Sequence, residues 1–564
     1  MGKIELDHTG SGGGITLSSD GTDLLLDGTA IGGLELYAEN PSSPTAPSAT
    51  GTNAVAVGSG TSASGTSSIA LATSSETTGD FAVSIGAGAD ALGTNAVGIK
   101  GEARYNQTTA IGTNSGTGRS IAGIAGNSSS NAAMALGGSY ASGTDSFAAA
   151  IANNTSTYGA TGANSIAMGY QAKASVNSSV AIGRSTQASG NYATALGANS
   201  SSGGSIASGN GSVALGGSLA SGASSVAIGI GSSVSNGATN TDTVAIGKNA
   251  RASSTSALAV GKDTDATSDE ATAIGMSAQA AGVGSVALGN SRAGGTDSFA
   301  AAIDNNTSSY GATGFNSVAA GYQGKASGFY SAAIGYNSIA SANYSLALGG
   351  QATASGVSSV VVGGGGNTAN QQYASVLGGL LNYALAVGAT ALGGQNNRAD
   401  GEYSVTTGTR ATTRTIYGRA VHASGRFSGD GDAQSSKFVL RSDTTNATAE
   451  ALTTNNSTAG TTNQIILPNN SAYSFSGTIV ARQQASGGTA SAAWKVEGLI
   501  RREGSAGTTV LVNSATTILD NTPSWGLALS ADTTNGGLKV EATGAASTNI
   551  RWVATIHTSE VTYA

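Results

Sequence analysis

A five-residue phrase returns at a fixed interval through most of this chain, and that interval restricts the fold more than any other feature. The phrase reads Ser179-Val180-Ala181-Ile182-Gly183 and recurs at Ser212-Val213-Ala214-Leu215-Gly216, Ser225-Val226-Ala227-Ile228-Gly229 and Ser285-Val286-Ala287-Leu288-Gly289. The closing glycines Gly169, Gly183 and Gly197 are spaced by 14 residues, as are Gly247, Gly261, Gly275 and Gly289. A fixed period of this order signals a solenoid, whose units stack only on their neighbours. One unit fits two short strands and two tight turns. Alternation places Val180 and Ile182 on one face and Ala181 on the other. Their size assigns the branched residues to the inside of a coil. The alanines are then left to face a neighbouring chain or a narrow second layer.

Composition supports a thin, layered structure. The 564 residues include 86 glycines, only 8 phenylalanines and 10% charged residues, so a thick core of large side chains is not available. At 39% hydrophobic the chain is too apolar for simple disorder. The net charge is −7, from 24 basic and 31 acidic residues, and no basic stripe points to nucleic acid. Cysteine is absent, which excludes disulfides and thiolate metal sites. The start, Met1-Gly2-Lys3-Ile4-Glu5-Leu6-Asp7-His8, has no apolar leader core, and no apolar run is long enough for a membrane span.

Four regions follow along the chain. Residues 1–40 form a head piece, in which Ile15 to Leu26 reads as two strands about the turn Asp20-Gly21. Residues 41–50 are a linker holding Pro41, Pro44 and Pro47. The repeat occupies 51–408, and a block near 137–175 returns at 289–327, with Gly143-Thr144-Asp145-Ser146-Phe147 repeated as Gly295-Thr296-Asp297-Ser298-Phe299. At a rise of about 4.8 Å per coil, roughly 24 coils predict a shaft near 115 Å. Residues 409–564 carry all three tryptophans, Trp494, Trp525 and Trp552, on longer alternating strands, which predicts an antiparallel β-sandwich with an aromatic core.

The phrase with its spacer, as in Asn177 to Gly190, resembles the YadA-type head repeat of trimeric autotransporter adhesins. That resemblance covers 51–408 and implies a left-handed parallel β-roll in a homotrimer. A bacterial autotransporter also needs a secretion signal, a stalk and a membrane barrel, none of which the sequence offers. Gly2 to Leu17 resembles the N-terminal segment of tail-fibre-like virion proteins of tailed phages, notably those of marine cyanobacteria. Asp532-Thr533-Thr534-Asn535-Gly536-Gly537-Leu538-Lys539, together with Ile550 to Thr562, looks like a domain common in phage fibres. These ends imply a virion fibre, attached through its N-terminus to another virion protein and exposed at the other end.

Candidate chemistry is sparse. Asp263-Thr264-Asp265-Ala266-Thr267-Ser268-Asp269-Glu270 gathers four carboxylates, but Ser268 stands where a calcium loop of the EF-hand kind needs glycine, so a solvated turn is expected. Gly429-Asp430-Gly431-Asp432 reads the same way, and Gly363-Gly364-Gly365-Gly366 lacks the lysine of a phosphate loop. His8, His422 and His557 lie in separate regions, so a metal site needs symmetry to bring copies together. No metal or cofactor is expected. Aromatics are the best recognition candidates, because they stack on sugars and proteins at low entropic cost. Tyr158, Tyr170, Tyr310 and Tyr322 lie in the duplicated blocks. Trp525 lies in the turn-like stretch Asn521-Thr522-Pro523-Ser524-Trp525-Gly526, where core and contact roles both stand. The expected function is adhesion to a host-surface glycan or protein, without catalysis. The alternatives are a structural spacer fibre whose C-terminal domain drives trimer assembly, a bacterial trimeric adhesin and a depolymerising tailspike.

Overall fold

The described residues of the computed structural model are 45–104, 106, 109–111, 126–128, 133–136, 139–149, 157–199, 203–229, 236–301, 309–484 and 490–563, with the strand backbones Ile4–Leu6, Ile15–Ser19, Leu24–Leu26 and Thr29–Ala30. Those four strands form an antiparallel sheet in which Leu17 faces Leu26. The turn between them, His8 and the prolines at 41 and 44 lie outside the described residues. Contacts divide the chain into Met1–Ser253 and Ser254–Ala564.

Both units are built from coils of a β-solenoid of about 23 turns, with parallel strands about 14 residues apart. Each coil gives one strand to a phrase sheet and one to a spacer sheet. In the first unit Val180–Ile182 pairs in parallel with Ile166–Met168 on one side and Thr194–Leu196 on the other. The spacer strand Gln187–Ala188 pairs with Lys173–Ala174 and Ile206–Ala207. The second unit repeats the pattern from Leu258–Val260 through Val405–Thr409.

The phrase explains its own corners. Ser179 is fully buried, and its hydroxyl donates to the carbonyl of Val176 at 2.7 Å. Ser225, Ser285 and Ser317 bond the same way to Gly222, Gly282 and Gly314. The hydroxyl is thus a second, shorter donor to a corner carbonyl that the serine's own N–H reaches only at 3.2–3.3 Å in the Ser179, Ser285 and Ser317 corners. Gly183 closes the phrase at φ 126°, which disfavours any L side chain. Gly190, in the spacer corner, has another reason: a Cβ there would stand 2.0 Å from the carbonyl oxygen of Gly209 in the next coil.

The inside of the coil overturns the size argument. Ala181, Ala227, Ala273 and Ala287 are completely buried, whereas Ile182, Ile228 and Ile274 are 37%, 37% and 40% exposed. Two sheets joined by such short corners leave room for little more than a Cβ between them. Ala, Ser84 and Gly98 fill the inward position, and the branched residues project outward. Later coils are wider. Asn367, Asn382 and Asn397 are fully buried at a spacing of 15, and Val361 and Val376 replace the inward alanine. Each asparagine amide donates to two carbonyls, as Asn382 does to Gly378 at 2.9 Å and Gly394 at 3.0 Å. Its oxygen accepts the backbone N–H of the next asparagine.

In the second unit the phrase sheet passes into a different kind of structure. Ala420–Ser424 pairs in parallel with Val405–Thr409 and antiparallel with Ala433–Thr444. Beyond that strand, Ile550–Thr562, Ser471–Gln483, Ser491–Arg502 and Val510–Asp520 follow in antiparallel order. A second antiparallel sheet holds Ala449–Ala451, Ile465–Ile466, Gly526–Asp532 and Gly537–Thr543. Phe438, Tyr473, Trp494, Trp552, Leu538 and Val540 share one core, in which the Trp494 and Trp552 rings lie 5.5 Å apart.

Candidate functional site

The sequence candidates separate into two groups. Tyr170 and Tyr322 stand on coil corners and are 47% and 42% exposed, while Tyr158 and Tyr310 are half-buried. In the first unit the Arg184 guanidinium lies 5.8 Å from the Tyr170 ring centre. In the second, Tyr322 stacks on Tyr336 of the next coil at 5.4 Å and 9°. The opposite corner carries Phe315, Phe329, Tyr330 and Tyr344, with Tyr330 and Tyr344 stacked at 5.3 Å. That column was missed in the sequence, although Phe329-Tyr330 and Tyr344 precede the phrase serine at the repeat spacing. Residues 150–156 and 302–308 of the duplicated blocks lie outside the described residues.

Trp525 belongs to the core instead. It is 5% exposed, with its ring 5.9 Å from that of Trp552. The Asn521 side chain clamps the turn from both sides, accepting from the Trp525 N–H at 2.9 Å and donating to its carbonyl at 2.8 Å. The indole is therefore turned inward and is not available to a receptor in this chain.

The carboxylate-rich stretches serve turns. Asp269 accepts the Thr255 N–H at 3.1 Å. Asp432 accepts three backbone N–H groups, from Phe427, Ser428 and Gly429. Burial alone would raise its pKa, but these donors and Arg426 hold it below the ordinary carboxylate value. Among the described residues no group of three His, Asp or Glu is placed to hold a metal ion.

The most chemically distinct surface lies where the phrase sheet meets the C-terminal strands of the second unit. Register opposes Lys437 to His557, Ser435 to His422 and Ser476 to His557. Two histidines that the sequence leaves apart thus line one cavity of about 420 Å³, with Lys437, Ser435, Ser474 and Ser559. All six side chains are exposed, and no acidic residue lines the cavity. The Thr407 hydroxyl holds His422 at Nδ1, 2.9 Å away.

Directly behind this surface the alternate residues of the same strands point inward. Glu560 is 5% exposed and Arg419 is fully buried. The Arg419 guanidinium donates to Glu560 Oε1 at 2.6 Å, and Gln434, Ser436 and Thr558 also donate to that carboxylate. Burial pushes the Glu560 pKa upward, but the Arg419 charge and these donors outweigh it and hold it below the usual value. Arg419 also lies over the Phe438 ring, 5.2 Å from its centre. A buried carboxylate so fully satisfied fixes the strands that carry the outward His557, Lys437 and Ser435.

The two sheets of each coil differ in their outward residues. Among the described residues, no charged residue stands at the first or third position of a phrase strand from Val55–Val57 through Val405–Thr409, in either unit. Spacer strands carry Glu76, Asp90, Glu102, Lys173, Arg251, Asp265, Arg292, Lys325 and Arg398 at their outward position. Asp90 is opposed in register by Glu76 and Glu102; burial and then these two neighbours raise its pKa.

Known proteins offer one family-level similarity. The YadA head domain repeat matches residues 49–71, 160–186, 177–200, 238–264, 266–291, 312–338, 326–352 and 340–365. No curated protein matches the chain. The crystal structure of tailspike protein gp49 from Acinetobacter baumannii bacteriophage Fri1, a capsular polysaccharide depolymerase, covers 87% of this chain and 79% of its own at 9% identity. Its TM-score of 0.19 carries no argument about fold or activity. Coils in both units are thus similar to the YadA head domain repeat.

Proposed function

We propose that this protein is a homotrimeric virion fibre of a tailed phage that adheres to a glycan on the host surface without cleaving it. The observation that carries the reading is the uncharged row along the phrase sheets. A water-facing sheet edge or face is normally defended with charge. Here Val, Ile or Leu stands at one or both outward positions of each phrase except at Phe147–Ala149 and Phe299–Ala301, where phenylalanine does, with no charge to keep a partner away. Within each unit, a row at fixed pitch is matched along its length only by a row of the same pitch, that is, by another copy of this chain. Three copies follow from the likeness of the coils to the YadA head repeat; their spacer sheets then face water, and the contact along the row stops short of Val405 and Thr407, which line the cavity beside His422 and His557. The phage assignment rests on the resemblance of the two ends to tail-fibre segments, with the N-terminus as the attachment to another virion protein.

Adhesion is favoured by the exposed aromatics on the coil corners, which suit sugar stacking. Purified full-length protein should compete with virions for host cells and release no new reducing ends from host polysaccharide. Turnover of the polysaccharide would make the protein a depolymerase. A trimer that neither binds cells nor cleaves would favour a spacer fibre.

A further inference from the structure

We propose that the cavity lined by His422, Lys437 and His557 is an oxyanion site that takes the carboxylate, phosphate or sulfate group of an acidic glycan; this rests on the adhesion reading above. The chain as a whole is acidic, at −7, so a cavity with a lysine, two imidazoles and several hydroxyls, and no carboxylate, is a local reversal. Its lysine and two histidines arrive from three strands and lie up to 135 positions apart, so sequence neighbourhood does not account for the cluster.

Lys437 is exposed and makes no ion pair or side-chain hydrogen bond among the described residues. Three ammonium donors are therefore free to meet a ligand. The Thr407 contact uses Nδ1 of His422, which leaves its Nε2 for a ligand. His557 stands opposite Lys437 in register, and Ser476 and Ser559 bring hydroxyls beside it. Hydroxyls and imidazole N–H groups around an ammonium suit an anion with several oxygens. A volume of about 420 Å³ holds one or two sugar rings but not a folded protein segment of any size.

The inward partners of these residues, Gln434, Ser436, Thr558 and Glu560, are mutually bonded and buried. Glu560 could otherwise neutralise the cavity, but its charge is spent on Arg419 on the far side of the sheet. The donors are thereby held in place before a ligand arrives, which lowers the cost of binding.

Calorimetric titration of the full-length protein at low salt tests this with three probes: oligogalacturonate, a neutral malto-oligosaccharide and inorganic phosphate. Oligogalacturonate should bind and the neutral oligosaccharide should not. Competition by phosphate would show that any oxyanion fills the site, and its absence that a sugar-borne one is required; either outcome supports the assignment. Lys437→Met should weaken oligogalacturonate binding about tenfold, and His557→Gln by a smaller factor. Arg482→Met, on the same sheet outside the cavity, should leave it unchanged. Equal binding of the neutral sugar, no effect of Lys437→Met, or an equal loss with Arg482→Met overturns the proposal. So does a change of solution mass in Lys437→Met, which would make the cavity part of a contact between copies. Host-cell adhesion by the unaltered protein is measured in parallel. If it persists without oligogalacturonate binding, only the oxyanion site is lost, whereas failure of adhesion itself removes the functional reading.

Discussion

The two outward rows of a single coil share a backbone geometry and differ in almost everything else. Both are first-position residues of short parallel strands, with an inward alanine beside them. One row holds Val180, Val226 and Val286; the other holds Lys173, Arg251 and Arg292. Strand propensity and packing within the coil do not require the contrast, because neither row contributes to the coil interior. That contrast is what the proposed fibre requires, one face for water and one for another apolar surface.

The largest effect should come from putting charge on the apolar row. Ile228→Asp with Ile274→Asp places one carboxylate in each unit's row, both at positions already 37% and 40% exposed in the single chain. The coils should still form, by circular dichroism, while sedimentation shows single chains, since unpaired charges at a buried interface are strongly disfavoured. Removal of one partner in the cluster behind the cavity should come next. Glu560→Gln leaves the fully buried Arg419 without its counter-charge and should cost about 3–5 kcal/mol, read from denaturant unfolding. The pH dependence follows from the sign of the shift. The folded pKa of Glu560 lies below its ordinary 4.5, so its contribution is present above that value. It is lost as pH falls through the lower folded value, and Glu560→Gln should flatten this acid limb of the stability profile.

Smaller effects sharpen the inside-against-outside contrast. Ala273→Leu forces a large side chain into a position with no exposure and should cost about 1–3 kcal/mol. Asn382→Ala strands the Gly378 carbonyl and the Asn397 N–H, removes one of the two donors to the Gly394 carbonyl, and should cost about 1–3 kcal/mol. The smallest effect belongs to the charged row. Gln279→Asp, which keeps an acceptor for Arg292, should stay within about 0.5 kcal/mol and leave the solution mass unchanged.

The repeat, its strands and its corners were legible in the sequence because a phrase copied many times reports its own geometry. Which face lies inside was not. Alternation groups Val180 with Ile182 but is silent on direction, and the usual preference for burying branched residues chose wrongly. The useful signal was volume: before Val361 and Val376, the middle position accepts Ala, Ser84 and Gly98, while its flanks range from Ala301 to Phe299. A position that tolerates only small residues is the one without space. Trp525 shows the same limit, since Asn521 folds its turn back onto the core through bonds that no local pattern announces. The cavity was illegible for another reason: His422 and His557 meet only through the registers of strands far apart in the chain.

Sedimentation equilibrium of the full-length protein tests the contrast between the two rows most directly. The uncharged row predicts a single species of three times the chain mass of 54.2 kDa, stable on dilution. A monodisperse species of 54.2 kDa at the same concentration would contradict it.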